Sequence, residues 1–208
     1  GRNSLPDIIS RTSKEIFIPL TVGGGLRTLE DIRTVLQAGA DKVSLNTAVV
    51  NRPELVPEAA RRFGSSTIVV SVEAIKKPDG GYEAYTDNGR EATGMDAIRW
   101  AIRAAELGAG ELIVTSIDRE GTGKGFDLEL TREIAISVPI PVIACGGAGR
   151  LRHISEVVTE GKADAVSIAS ILHYRSIAHL SKTEGDYDRE GNVEFLSGKQ
   201  GFSLVEGS

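Results

Sequence analysis

One glycine-rich segment occurs twice in this 208-residue sequence, and a second segment repeats with the same spacing. TVGGGL at 21–26 returns as ACGGAG at 144–149, and ADKVSLNTAV at 40–49 returns as ADAVSIASIL at 163–172. In both cases the two copies are 123 positions apart. Two consecutive segments that repeat without a change in spacing indicate a duplicated structural unit, not two unrelated turns.

Short apolar segments with almost no polar alternation predict strands that are buried on both faces of a parallel sheet. The predicted strands lie at 17–22, 42–46, 67–73, 111–117, 140–145 and 164–169. Amphipathic segments between them predict helices: one after Thr28, which can cap it, one after Thr93, and others over 54–63 and 152–159. Strands that alternate with helices indicate an α/β protein.

The repeat decides which α/β fold is expected. A duplicated unit of 123 residues with four strands gives the eight strands of a (βα)8 TIM barrel. The strands at 67–73 and 111–117 have no partner in the repeat, because their mates would fall before Gly1. We therefore expect residues 1–208 to form a single partial barrel of duplicated half-barrels, with six strands present and the first two absent. A complete six-stranded open sheet is the alternative.

Composition excludes several classes of function. The net charge of −5 argues against a nucleic-acid partner, which would require clustered Lys and Arg. No apolar segment approaches the ~20 residues that span a membrane. The only cysteine, Cys145, fits a cytoplasmic location and is expected to pack rather than react. The three histidines lack metal-ligand spacing, so neither a metal nor another cofactor is predicted.

The two glycine loops predict two phosphate sites. Glycine lets backbone N–H groups approach an anion closely, and loops at the C-terminal ends of strands are the usual phosphate sites of this fold. Two such loops predict a substrate with a phosphate at each end. Residues predicted to contact the first phosphate are Gly23, Gly24, Gly25, Asn46 and Thr47. Residues predicted to contact the second are Gly146, Gly147, Gly149, Ala169 and Ser170.

Two carboxylates at predicted strand ends are candidates for acid–base catalysis. Glu73 and Asp118 would stand over the mouth of the barrel, although a carboxylate that caps the next loop is an equally good interpretation. Thr115 could orient the substrate or pack between strands. Turn sequences within 76–93 predict a β-hairpin insertion that could close over the site, with Asn88 and Gly89 as further phosphate donors.

Motifs along most of the chain resemble a known enzyme family. They are VGGG, ADKVSLNTAV, YTDNGR, GAGELIVTSIDREGTGKGFD, ACGGAG and ADAVSIAS, which occur in order between Ile18 and Tyr174. This pattern resembles the cyclase subunit of imidazole glycerol phosphate synthase, from histidine biosynthesis. That family is a (βα)8 barrel of two half-barrels, which agrees with the repeat.

The resemblance implies a lyase reaction and a partner. The family's substrate is a ribulosyl aminoimidazole carboxamide with a phosphate at each end, and a glutaminase subunit supplies ammonia through the barrel. The products are imidazole glycerol phosphate and aminoimidazole carboxamide ribotide, and no metal or redox cofactor is used. Two aspartates perform the acid–base chemistry, one at the end of the first barrel strand and one at the end of the fifth.

This sequence departs from the family in places. Glu73 stands where the family expects the fifth-strand aspartate, and Glu120 replaces a second acidic position conservatively. Asp118 matches an aspartate that the family keeps near its substrate. The segment 183–203 looks like a polar loop insertion without chemistry. Two alternatives therefore stay open: a paralogous barrel that uses ammonia to amidate sugars of surface polysaccharides, and a phosphate-binding barrel fragment without turnover.

Overall fold

A computed structural model describes residues 4–173, which form one α/β sheet-and-helix unit. The insertion predicted at 183–203 lies outside the described residues. The strands are β1 (Thr21–Gly23), β2 (Lys42–Leu45), β3 (Ile68–Lys76), β4 (Tyr82–Thr86), β5 (Glu91–Asp96), β6 (Glu111–Ser116), β7 (Val142–Cys145) and β8 (Ala165–Ser167). The α-helices are α1 (Leu5–Glu15), α2 (Leu29–Gln37), α3 (Thr47–Asn51), α4 (Leu55–Phe63), α5 (Ala97–Glu106), α6 (Leu128–Ser137) and α7 (Leu151–Thr159).

Six of the strands form a continuous parallel sheet in the order β1-β2-β3-β6-β7-β8. Each of these strands pairs with the next one along the chain, so the order never reverses. An open doubly wound sheet would reverse its order at a switch point, whereas a barrel adds its strands consecutively. The predicted partial (βα)8 barrel with six strands is therefore confirmed. No helix among residues 4–173 is both long and apolar enough to cross a membrane.

The strands form where the sequence is apolar on both faces. Val69, Val70 and Val72 of β3 are all at most 1% exposed, which agrees with a sheet covered on both sides. The predicted cap of α2 is also confirmed. The Thr28 hydroxyl accepts the N–H of Asp31 at 3.1 Å, and the Asp31 carboxylate accepts the N–H of Thr28 at 2.9 Å.

Three predicted boundaries are wrong. The strand expected over 67–73 continues to Lys76, because its last four residues, from Glu73 onward, pair with β4. The first strand, expected over 17–22, begins only at Thr21, because Pro19 has no N–H for the ladder and the N–H of Leu20 donates to the Asp41 carboxylate at 2.8 Å. The helix expected after Thr93 begins at Ala97, capped by Asp96. Thr93 lies in β5, where its hydroxyl donates to the carbonyl of Ala84 at 2.6 Å. The sequence did not predict α1, α3 or α6.

The segment 76–93 contains an antiparallel hairpin made by β4 and the first part of β5. β4 pairs with the end of β3, so Tyr85 lies opposite Glu73. The turn residues Asp87, Asn88 and Gly89 all have positive φ, at 52°, 56° and 75°. This turn lies at the same end of the sheet as the C-terminal end of β2.

The base of the hairpin is anchored to α6 through a buried tyrosine. The Tyr82 hydroxyl donates to the Asp127 carboxylate at 3.0 Å, and Asp127 also accepts the N–H of Leu130 at 3.0 Å as the cap of α6. The ammonium group of Lys76 lies 5.4 Å from the centre of the Tyr82 ring and pairs with Glu129. These contacts fix the start of β4 against α6. The turn at the other end of β4 contacts Asn46 and Thr47, which follow β2.

Tyr82→Phe is expected to lower the free energy of unfolding by roughly 1.5–3 kcal/mol, because a buried carboxylate loses a hydrogen bond. Urea denaturation followed by circular dichroism measures the change. Tyr85→Phe is the matched control on the same strand, since the Tyr85 hydroxyl makes no hydrogen bond within residues 4–173. An equal effect of both substitutions would contradict the anchoring role of Tyr82.

Candidate functional site

A cavity of about 680 Å³ opens at the C-terminal ends of β1 and β2 and beside Ser71 and Glu73 of β3, under the hairpin turn. Gly24 and Gly25 of the first glycine loop, residues 23–25, form one wall, whereas Gly23 belongs to β1 and does not line the cavity. The start of α3, the Glu73 side chain and the hairpin turn form the others. The predicted site residues that line this cavity are Gly24, Gly25, Asn46, Thr47, Glu73 and Asn88.

The first glycine loop is open toward the cavity. Gly24 and Gly25 have φ values of 92° and 74°, which favour glycine, and a Cβ built on either would meet no atom within 4 Å. The hairpin contacts the facing wall: the N–H of Asp87 donates to the Thr47 hydroxyl at 3.2 Å, and the Asn46 amide donates to the carbonyl of Tyr85 at 3.2 Å. The Thr47 hydroxyl keeps its own proton available for a ligand.

Glu73 is the candidate proton-transfer group of the cavity. Its side chain is half-buried, and its buried Oε2 has no hydrogen-bond partner within residues 4–173. Burial raises the pKa of Glu73, and the nearby carboxylates of Glu120 and Asp87 raise it further, while the Asn46 amide and the N–H of Gly89 act in the opposite direction. A carboxyl group with a raised pKa in a cavity is suited to proton transfer.

Asp118 occupies a different environment. Its exposed carboxylate accepts the N–H of Lys76 at 2.8 Å and closes the end of β3. It is not among the residues that line the cavity. Lys76 lies at the end of the neighbouring strand and not in the loop that follows Asp118, so the choice between catalysis and a loop cap stays a prediction. Thr115 is buried at the register position opposite Glu73.

The second glycine loop, residues 146–149, differs from the first because it packs against the connection between β6 and α6, residues 117–127. A Cβ on Gly147 would lie 2.2 Å from the carbonyl oxygen of Gly125. The N–H of Gly125 donates to the carbonyl of Gly147 at 2.8 Å. The N–H of Gly149 donates to Nδ1 of His153 at 3.2 Å. The glycines of this loop therefore permit backbone packing in addition to any ligand contact.

Three further residues, Gly89, Ala169 and Ser170, were predicted to contact phosphate. Gly89 lies at the hairpin turn, where a Cβ would come within 2.9 Å of the Ile117 side chain. Ala169 and Ser170 follow β8, and a helical turn begins at Ser170. Among residues 4–173, no group of three His, Cys, Asp or Glu side chains is placed to hold a metal ion.

Comparison with known proteins gives the family. A family model described as "Histidine biosynthesis protein" matches residues 1–178. The chain belongs to this family. It is 49% identical over 177 residues to the imidazole glycerol phosphate synthase subunit HisF of Alkaliphilus metalliredigens (strain QYMF), an alignment that covers 85% of this chain and 70% of that protein. The resemblance inferred from the motifs is confirmed.

Arg27 is a cavity residue that the sequence analysis missed. It follows the first glycine loop and is the single cation among the described residues that line the cavity. The repeat contained the signal, because Arg150 follows the second glycine loop 123 positions later. Both glycine loops of this histidine-biosynthesis chain are thus followed by an arginine, the side chain best suited to phosphate. The other missed lining residues are Leu26, Ser44, Leu45, Ala48, Asn51, Ser71 and Asp87.

Arg27→Met is expected to weaken binding of inorganic phosphate at the first loop about tenfold, since one charge-assisted contact is lost. Because this contact is screened by salt, the difference between the two proteins should shrink at high ionic strength. Calorimetric titration at two salt concentrations measures both effects. Arg103→Met, an exposed substitution on α5, is the control. A difference that does not depend on salt would contradict the proposed contact.

Glu73→Gln is expected to stabilise the protein at neutral pH. Since the pKa of Glu73 is raised in the folded state, the folded chain binds its proton more tightly than the unfolded chain does. Stability is therefore lost as the pH rises through the ordinary glutamate pKa of 4.5 up to the raised folded pKa. Thermal denaturation should show a higher Tm for Glu73→Gln at pH 7 and no difference below the ordinary pKa. A lower Tm at pH 7 would mean that the carboxylate stabilises the fold.

Proposed function

We propose that this chain is a cyclase subunit of histidine biosynthesis. It converts a bis-phosphate ribulosyl aminoimidazole carboxamide and ammonia into imidazole glycerol phosphate and aminoimidazole carboxamide ribotide. The observation that carries the proposal is the shared cavity: Glu73, with an unpartnered buried oxygen, lines the same cavity as the open glycine loop and Arg27. An anion site beside a proton-transfer group suits a phosphorylated substrate that must gain and lose protons.

Phosphate binding and proton transfer fall to different residues in the proposed reaction. The amides of Gly24 and Gly25, the Thr47 hydroxyl and the Arg27 guanidinium bind one phosphate, and the second glycine loop binds the other. Ammonia adds to the ketone carbon of the ribulosyl group and water leaves. The new nitrogen then closes the imidazole ring, and the bond to the ribotide amine breaks. Glu73 is one of the two acid–base groups that the resemblance implies for these proton transfers.

The glutaminase partner is proposed from the relative, whose name describes it as a subunit of a synthase. The resemblance implies docking at the N-terminal ends of the strands, where Asp41 and Lys42 lie. Lys42 there forms an ion pair with Glu111 at the start of β6. The carboxylate of Asp41 accepts the N–H of Leu20, so this end of the sheet is well ordered by polar contacts within the chain.

The proposal is tested on the chain extended by the two strands that the repeat predicts before Gly1, by the loss of substrate absorbance in the presence of ammonium salt at alkaline pH. We expect turnover with ammonium salt alone, and turnover with glutamine only after a glutaminase subunit is added. Binding of the bis-phosphate without turnover under either condition would contradict the cyclase assignment. In that case the glutamate at position 73 favours the second candidate, ammonia transfer to a sugar, which is tested by mass spectrometry of sugars incubated with the chain and ammonium salt.

A further inference from the structure

The second glycine loop and the connection between β6 and α6 hold each other in place. The N–H of Gly125 donates to the carbonyl of Gly147, and a Cβ on Gly149 would lie 2.1 Å from the carbonyl oxygen of Gly123. Two backbones that approach this closely leave neither segment free to move alone. A group that fixes one of the segments therefore fixes both.

His153 contacts both segments. It lies in the first turn of α7 and is 5% exposed. Its Nδ1 accepts the N–H of Gly149 at 3.2 Å. A Cβ built on Gly125 would lie 3.6 Å from its Cδ2, so the ring also packs against the connection. The imidazole thus stands between the glycine loop and the segment that packs on it.

The hydrogen bond from the N–H of Gly149 fixes the protonation state of the His153 ring. A nitrogen that accepts a hydrogen bond carries no proton, so the imidazole is neutral with its proton on Nε2. Burial lowers the pKa of His153; Glu156 acts in the opposite direction, while Arg152 and Arg150 lower the pKa further. The surroundings therefore favour the neutral form that the hydrogen bond requires.

Polar groups in and beside the loop also lack hydrogen-bond partners within residues 4–173. The amides of Gly147 and Ala148 make no hydrogen bond within residues 4–173, although Gly147 is buried. The Ser116 hydroxyl, 3% exposed at the end of β6, also lacks a partner among the described residues. Successive unpaired amides of this kind form an anion-binding concavity. The Gly149 amide does not belong to this set, because His153 already accepts it.

We propose that His153 is a positioning residue for the second glycine loop: by accepting the Gly149 amide, it holds the Gly147 and Ala148 amides in place for a phosphate group. The inference rests on the proposed function, since it names how one phosphate of that substrate is held. It changes the predicted part of Gly149 from a phosphate donor to the fixed end of the loop.

The test uses the full chain, inorganic phosphate as the probe and backbone-amide NMR as the readout. His153→Leu removes the nitrogen that accepts the N–H of Gly149 and fills the space with an apolar side chain. In His153→Asn, the side-chain oxygen Oδ1 can accept the same N–H. We expect His153→Leu to weaken the phosphate affinity reported by Gly147 and Ala148 about tenfold, and His153→Asn to restore most of it. The first loop is the internal control: the affinity reported by Gly24 and Gly25 stays unchanged.

Three results would overturn the inference. They are unchanged phosphate affinity at the second loop in His153→Leu, an equal loss at both loops, and the absence of a phosphate response at Gly147 in the unaltered chain. If His153→Leu does not fold, long-range ¹⁵N NMR of the unaltered chain still decides. The inference requires Nδ1 of His153 to be the nitrogen without a proton, and a proton on Nδ1 would refute it.

The kinetic consequence separates this inference from the proposed function. If the cyclase assignment holds, His153→Leu should raise KM for the bis-phosphate substrate more than it lowers kcat, because only binding of one end is affected. A chain that binds phosphate in the His153-dependent manner but never turns over the substrate would refute the cyclase assignment and leave the positioning role of His153 intact.

Discussion

Glu73→Gln is expected to lower kcat of ammonia-dependent cyclisation by roughly 10²–10⁴-fold, the usual contribution of a positioned general acid or base. The amide is close in size to the carboxyl group and cannot transfer the proton. Steady-state kinetics with saturating ammonium salt measures the loss. Because phosphate binding does not involve this side chain, KM for the bis-phosphate should change far less than kcat.

Two further variants test whether the carboxyl group of Glu73, and not that of Asp118, transfers the proton. Glu73→Asp keeps the carboxyl group and shortens it by one methylene, so it should retain much more activity than Glu73→Gln. Asp118→Asn should reduce kcat less than about tenfold, since the structure places this carboxylate on the N–H of Lys76 and away from the cavity. An Asp118→Asn variant as impaired as Glu73→Gln would show that Asp118 also takes part in proton transfer.

Gly147→Ala is expected to lower the free energy of unfolding by roughly 2–5 kcal/mol. Its φ of 105° is strained for any residue with a Cβ, and that Cβ would lie 2.2 Å from the carbonyl oxygen of Gly125. Backbone cannot move aside as a flexible side chain can. Urea denaturation of Gly147→Ala, of the control Gly24→Ala and of the unaltered chain measures the effect.

Gly24→Ala is the matched control for Gly147→Ala. It occupies the equivalent position of the repeat with a φ of 92°, but its Cβ would meet no atom within 4 Å. Only the backbone strain remains, so we expect a loss of about 1–2 kcal/mol. Equal losses in the two variants would contradict the conclusion that the second loop, and not the first, is packed against neighbouring backbone.

Much of the fold could be predicted because its signals are local or periodic. Val69, Val70 and Val72 mark a strand buried on both faces, and Thr28 with Asp31 marks a helix start. The 123-residue repeat supplied the barrel. The first strand and the helix after Thr93 were misplaced because tertiary hydrogen bonds, to Asp41 and to the carbonyl of Ala84, decided those boundaries.

The candidate site was predictable only in part, for a physical reason. The repeat shows that two loops share a sequence pattern, but it does not show what packs against each one. The first loop is open and the second is covered by residues 117–127, a difference that arises from long-range contacts alone. Arg27 was missed because a single arginine after a turn carries no local signal, whereas its recurrence as Arg150 does.

In the proposed function, one substrate molecule engages both glycine loops across the mouth of the barrel. The most direct measurement is an NMR titration of the full chain with the bis-phosphate substrate in the absence of ammonia, read at the amides of Gly24 and Gly147. We expect both amides to respond with one common Kd and to saturate at one substrate per chain. Responses with separate Kd values, or a response at only one of the loops, would contradict it.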